Sequence, residues 1–225
     1  MSAGAVWGIV VAAGGGDRYG GPKQYELLGG RRVIDLALAA TRAVCASVVA
    51  VVPGERIDDP IPADAVVAGG TTRSASVRAG LTMVPVTAEV VVVHDAARPL
   101  APPALFRLVV EAVRSGADAA VPGLVVTDTL KQVDDEGRVT ATIPRDGIVV
   151  VQTPQAFRAE VLRRAHQAGG EATDDARLVE STGATVVVVT GHRLAAKITE
   201  PLDLAVLEAL AAGEPGLGGP PVGEP

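Results

Sequence analysis

Aromatic side chains are almost missing from this sequence. Trp7, Tyr19, Tyr25, Phe106 and Phe157 make up 2% of its 225 residues. A protein that holds single-stranded nucleic acid by stacking bases, or a cation in an aromatic cage, needs more of them. With 48% hydrophobic residues, the core must be built mostly of Val, Ala and Leu. Cysteine is reduced to Cys45, which excludes an internal disulfide and any cysteine-based zinc site. A reducing, cytoplasmic setting is the simplest expectation. Three scattered histidines, His94, His166 and His192, do not suggest a His-rich site. A basic excess is also lacking. The 20 Lys and Arg face 26 Asp and Glu, giving a net charge of -6. A wholesale binder of nucleic acid or anionic membrane would normally be basic, so neither is expected as a partner. No apolar run approaches the roughly 18 residues of a membrane span. The apolar start has no Lys or Arg before Arg18, so the basic opening of a signal peptide is not expected.

What the chain does have is a rhythm of Val-rich runs and helical patterns. Residues 6–12, 47–52, 89–93, 117–121 and 185–190 read as strands. They are continuously apolar rather than alternating, as strands covered on both faces are. Helices are expected at about 33–45, 72–83, 102–115, 158–168, 174–182 and 201–212, with Pro102, Pro103 and Pro201 at helix starts. This order predicts an α/β fold with a mostly parallel sheet and helices on both faces, in a single domain over residues 1–212. Residues 129–143 break the rhythm. Two short strands flank the turn-rich 134–138 stretch and predict a protruding β-hairpin arm, set at about 128–152. Its exposed edges would need covering by another subunit or by a site beneath it. The last segment, 213–225, has nine Gly or Pro among thirteen residues and is expected to be disordered.

The first strand runs into Ala12-Ala-Gly-Gly-Gly-Asp-Arg18, a glycine turn whose amides suit a phosphate. The dinucleotide fingerprint fails because Tyr19 stands where the third glycine belongs, although Asp35 lies near the distance of a ribose carboxylate. The P-loop fails because Gly21-Pro22-Lys23-Gln24 lacks the Lys-Ser/Thr pair. What remains is a glycine turn followed by two cations, Arg18 and Lys23. That is what cleavage between the α- and β-phosphates of a triphosphate requires, since charge builds on departing pyrophosphate. A strand ending in His94-Asp95 presents Asp95 and Arg98, suited to Mg²⁺ or a hydroxyl and to a phosphate respectively. His94 reads as structural. Gly69-Gly70 opens another helix, capped by Thr71 or Thr72.

Taken in order, Ala12-Ala-Gly-x-Gly-x-Arg18, Pro22-Lys-Gln-Tyr25, Gly69-Gly-x-x-Arg-x-x-Ser-Val77, His94-Asp-Ala-Ala-Arg-Pro99, Asp128-Thr-x-Lys131, Thr153-Pro-Gln155, Thr173-Asp-Asp-Ala176 and Lys197-Ile-Thr-x-Pro-x-Asp-Leu204 resemble one family. It is the 2-C-methyl-D-erythritol 4-phosphate cytidylyltransferases. The resemblance spans roughly Val10 to Leu207 and implies a Rossmann-like nucleotidyltransferase fold. It implies transfer of CMP from CTP to methylerythritol phosphate with release of pyrophosphate, in non-mevalonate isoprenoid biosynthesis. By resemblance, Ala12, Ala13, Gly14, Gly16, Gly70, Thr71 and Ser76 would hold the nucleotide. Arg18, Lys23, Arg145 and Lys197 would be catalytic. Asp95, Arg98, Thr129, Thr153 and Thr173 would bind the polyol phosphate, with Mg²⁺ as cofactor and Asp95 its ligand. The arm would reach across a homodimer and bring Thr129 and Arg145 to the partner's site. A cytidylyltransferase acting on ribitol 5-phosphate is the alternative. The chain departs from the family pattern at Thr71, at Val149 to Val151, and at Ala195 and Ala196 before Lys197.

Overall fold

The computed structural model describes residues 5–212, so the 213–225 tail lies outside the described residues. In chain order the strands are β1 (Val6–Val11), β2 (Leu27–Leu28), β3 (Arg31–Arg32), β4 (Ser47–Val52), β5 (Ala65–Ala68), β6 (Val90–Asp95), β7 (Ala119–Val125), β8 (Leu130–Val133), β9 (Val139–Ile143), β10 (Val149–Val151), β11 (Gln155–Arg158) and β12 (Val186–Thr190). The helices are α1 (Val33–Arg42), α2 (Arg73–Leu81), α3 (Pro103–Arg114), α4 (Ala159–Gln167), α5 (Asp175–Glu180) and α6 (Pro201–Ala212). All six helices expected from the sequence are present, and Pro103 opens α3 as anticipated.

Eight strands form the central sheet. Its order is β12-β7-β11-β6-β1-β4-β5, with β10 paired to β7 on the same edge as β11. Strands β1, β4, β5 and β6 run parallel, as do β7 and β12. Only β10 and β11 run against them. The Val runs succeed here because their two faces enter two different cores. In β4, Val48, Ala50 and Val52 join Val6, Ile34, Leu38, Leu105 and Phe106 on the α1–α3 side. Val49 and Val51 join Ile9, Val77, Phe157 and Leu162 on the α2–α4 side. Burying each such Val or Leu contributes on the order of 2 kcal/mol. Aliphatic packing therefore does what aromatics do elsewhere, and only Phe106 and Phe157 sit at its centre. A third cluster, with Leu36, Leu100, Leu194, Ile198 and Leu207, docks α6 and the chain before it onto α1.

The hairpin is a separate two-stranded ladder, Leu130 opposite Ile143, and its Val133 and Val139 are exposed. The expected arm ran to residue 152. Val149–Val151 instead return to the main sheet opposite Gly123–Val125, so the free ladder ends at Ile143. The sequence pattern does not predict β2, β3, β5, β10 or β11. Each is short, and β10 and β11 flank Pro154, so local patterning does not reveal them.

Candidate active site

From β1 the chain goes outward to β4 and β5, then returns to add β6 on the other side. β1 and β6 therefore border the point where the sheet order reverses, and ligands in open α/β sheets bind at such carboxyl ends. Val11 and Asp95 are register partners there. The glycine turn is fixed from beneath by buried Gln24, whose Nε2 donates to the Ala12 and Gly14 carbonyls at 2.8 and 3.1 Å. Gly16 has φ +74°, and a Cβ on it would lie 2.0 Å from the Gly21 carbonyl oxygen, so this turn needs glycine. On the facing side Thr72, not Thr71, caps α2 by accepting from the Ala75 amide at 3.1 Å. Ser76 Oγ donates to the Thr72 carbonyl and accepts from the Gly70 amide, closing the Gly69-Gly70 turn. A Cβ on Gly69 would lie 2.3 Å from Ala13 Cβ, so the two turns touch. Between them opens a recess of about 280 Å³ that Ala12, Ala13, Gly14, Gly16, Lys23, Gly70, Thr71 and Ser76 all line. A shallower cleft continues from it past Ala13, Gly69 and Thr71 to Pro53, Gly54 and Glu55.

A second recess, of about 230 Å³, lies beside the first and is lined by Arg98, Thr153, Gln155, Thr173 and Asp174. Arg73, Asp95 and Lys197 line both, so they form the shared wall. Asp95 Oδ1 accepts from Arg73 Nε at 3.2 Å and Oδ2 from Lys197 Nζ at 2.8 Å. Burial would push this carboxyl up, but Arg73 and Lys197 outweigh it and hold Asp95 well below the usual carboxylate range. Burial likewise pulls Arg73 down, and Asp95 with Asp175 more than restores it. Lys197 reaches the wall because the Ile198 amide donates to the Ala97 carbonyl, tying this segment to the loop after β6.

Behind Asp95 runs a one-way chain of hydrogen bonds. The Asp95 amide donates to Thr153 Oγ1 at 3.0 Å, and Thr153 Oγ1 lies 3.1 Å from His94 Nδ1. His94 Nε2 lies 3.2 Å from the Arg98 carbonyl, which can only accept, so Nε2 carries the proton and Nδ1 accepts from Thr153. His94 is fully buried, and burial pushes it down to about 4, so its ring stays neutral. This matches its reading as structural. The Arg98 guanidinium is partly committed, donating to the Ala195 carbonyl at 2.6 Å and the Val151 carbonyl at 3.4 Å. Its Nε, together with Arg73 Nη2 and Gln155 Oε1, is buried without a partner among the described residues. Three orphaned polar atoms on residues lining one recess are costly unless a polar ligand satisfies them.

Lys23 faces the first recess with no ion pair among the described residues. Burial pulls the Lys23 pKa below its ordinary value, and the neighbouring cations Lys197 and Arg18 pull it down further. Several cations with few compensating anions make a receptor for a polyanion. Arg18 itself is exposed and does not line the recess, although it is near enough to act on Lys23. Thr129 and Arg145 are exposed at the base of the hairpin, away from both recesses. Arg145 Nη1 donates to the Thr127 carbonyl. Asp35, the candidate ribose carboxylate of a dinucleotide site, pairs with Arg32 at 2.7 Å on α1. Asp95 as a Mg²⁺ ligand meets two cations already on its oxygens. Among the described residues no group of three or more His, Cys, Asp or Glu side chains is placed to hold a metal. Any Mg²⁺ here would have to draw most of its oxygens from phosphate or water.

Sequence reasoning gave no role to Gln24, Arg73 or Asp175. All three stand inside the quoted motifs, so their positions were marked. Their tasks depend on contacts such as Arg73 to Asp175, 102 residues apart, which no local pattern reveals.

Comparison with known proteins gives one answer. A family model described as 2-C-methyl-D-erythritol 4-phosphate cytidylyltransferase matches residues 6–212. The protein of that name from Rhodococcus jostii is 48% identical, covering 92% of this chain and 95% of its own. That from Nocardia farcinica is 45% identical, covering 92% and 94%. The crystal structure of the Thermus thermophilus cytidylyltransferase is 40% identical with a TM-score of 0.78, covering 91% of this chain and 98% of that one. A 4-diphosphocytidyl-2C-methyl-D-erythritol synthase structure from Anaerococcus prevotii has a TM-score of 0.79 at 28% identity, covering 93% and 99%.

Proposed function

Because the chain belongs to the 2-C-methyl-D-erythritol 4-phosphate cytidylyltransferase family, we propose that its two recesses divide that reaction between them. The enzyme transfers CMP from CTP to methylerythritol phosphate, an isoprenoid-precursor step. The relatives sharing 45–48% of its sequence carry the erythritol name, so the ribitol alternative is not favoured. The triphosphate takes the glycine-lined recess and the base takes the cleft toward Pro53 and Gly70. The polyol phosphate takes the recess of Arg98, Thr153 and Thr173. The observation that carries this reading is the shared wall of Arg73, Asp95 and Lys197, one set of charges facing two adjoining anion-sized spaces.

The nucleophile is a phosphate oxygen, already ionised near pH 7, so no base has to remove a proton. It bonds to the α-phosphorus of CTP as the bond to the β-phosphate oxygen breaks, and pyrophosphate leaves with that electron pair. Lys23 and Arg18 stabilise the charge on pyrophosphate. Lys197, steadied by Asp95, draws the two repelling anions together. A Mg²⁺ held mostly by triphosphate oxygens and water, with Asp95 as the nearest protein carboxylate, would supply charge neutralisation, while Asp95 serves the cations of the wall. The hairpin pairs with a second copy and delivers Thr129 and Arg145 to the partner's polyol recess. A cytoplasmic setting accords with Cys45, buried as a thiol and pushed up to about 12 by burial.

The test is pyrophosphate release from CTP with methylerythritol phosphate and ribitol 5-phosphate compared side by side. Faster turnover with the erythritol substrate is expected. Faster turnover with ribitol phosphate, or release with neither, would overturn the assignment.

A further inference from the structure

The charges of the shared wall continue inward. Arg73 gives Nε to Asp95 at 3.2 Å and Nη1 to Asp175 Oδ2 at 2.6 Å. The other Asp175 oxygen lies 2.9 Å from His166 Nε2. Asp175 is 0% exposed, at the start of α5, and His166 is buried near the end of α4. A line of contacts therefore runs from the α4–α5 core through Arg73 to Asp95 and on to Lys197.

We propose that Arg73 is a positioning residue for the transfer: clamped by Asp175, it sets the Asp95 carboxylate, and through it the Lys197 ammonium, between the two recesses. The proposal rests on the two-recess reading above. Lys197 cannot place itself, because its side chain is 38% exposed and flexible. The anchor its ammonium has among the described residues is Asp95 Oδ2. Asp95 in turn needs a rigid partner on its other oxygen. Arg73 supplies one because its planar fork is bonded at two points, to carboxylates on β6 and α5. A lysine has a single nitrogen at its tip and cannot span both with fixed geometry. Were Arg73 a mere core pair for Asp175, its Nε would have no reason to face the wall of a cleft.

The experiment measures kcat and both KM values by pyrophosphate release for the single substitutions Arg73→Lys and Asp175→Asn, and for Asp95→Asn with and without Arg73→Lys. Circular dichroism and thermal midpoints give the folded fraction. Expected is a kcat per folded enzyme reduced about tenfold or more in both single substitutions. The Arg73→Lys and Asp95→Asn losses are expected to be non-additive, as for residues acting as one unit. A kcat and both KM values within about threefold of the unsubstituted enzyme would make Arg73 structural only and overturn the proposal, as would simple additivity. If Arg73→Lys does not fold, Asp175→Asn decides by the same thresholds. An inactive unsubstituted enzyme would instead overturn the underlying functional reading, so the two failures are distinct.

Discussion

Lys197 Nζ stands 2.8 Å from Asp95 Oδ2, joining positions 102 residues apart at the border of two recesses. The contact explains how an acidic protein holds two anions. The net charge of -6 belongs to the whole chain, whereas the cleft gathers Lys23, Arg73, Arg98 and Lys197 around Asp95, with Asp174 lining the second recess and Asp175 behind Arg73. Asp95 keeps this cluster from repelling itself apart before substrate arrives, and leaves a positive excess for the substrates to neutralise.

Under the proposed function Lys23, which lines the first recess, meets the triphosphate, and Arg18 stands near enough that the two cations repel until an anion neutralises them. Lys23→Ala and Arg18→Ala are each expected to lower turnover at least about a hundredfold, the scale of losing one preorganised charge-stabilising group. Steady-state pyrophosphate release at saturating CTP checks this. Near-normal turnover in both would remove their assigned role.

The glycine turn depends on a conformation as well as on space. Gly16→Ala places a Cβ against the Gly21 carbonyl at positive φ, so the loop must shift. The Gln24 anchors on the Ala12 and Gly14 carbonyls lie outside that clash, so the fold should survive while the phosphate cradle deforms. The expected result is CTP affinity weakened about tenfold or more with a cooperative thermal transition retained, measured by calorimetry and melting. Unchanged CTP affinity would show that the amides of this turn do not hold the triphosphate.

His94 gives the fold a pH dependence of definite sign. Burial lowers it from its ordinary value near 6.5 to about 4 in the folded chain. Between those values the unfolded chain binds the extra proton, so stability is full above about pH 6.5 and is lost as pH falls toward 4. The size is on the order of 3 kcal/mol for a group this buried. Thermal midpoints should fall across that window, and His94→Asn, which cannot titrate, should flatten the slope even from a lower starting midpoint. Equal slopes in the two proteins would refute the assignment.

The strand–helix order was legible because continuous Val runs admit few placements other than strands buried on both faces, and all six helices followed. β10 and β11 were not, because three or four residues around Pro154 take their form from β6 and β7 rather than from their own pattern. Much of the site was legible for a related reason. Ala12 to Gly16, Gly70 and Asp95 follow strand ends or open a helix, where the fold class itself puts ligands. Arg73 could be named but given no task, since its partners lie on α5 and β6. Whether Arg98 is free depended on the carbonyls of Val151 and Ala195, which sequence does not set beside it.

The hairpin supplies the last test. Thr129 and Arg145 stand away from both recesses within one chain, yet Val133 and Val139 leave apolar surface exposed on the ladder between them. If a second copy covers that ladder, each site combines Lys23 of one chain with Arg145 of the other. Arg145→Ala and Lys23→Ala should then each be nearly inactive alone. Mixed subunits should regain activity, because half of the sites in a heterodimer carry neither substitution. Random exchange of equal amounts makes about half the dimers hybrid, so recovery should approach about a quarter of normal turnover per site. Exchange can be followed by mass spectrometry of the intact dimers. Hybrids that form without regaining activity would place Arg145 and Lys23 in the same chain's site and return the hairpin to a role outside catalysis.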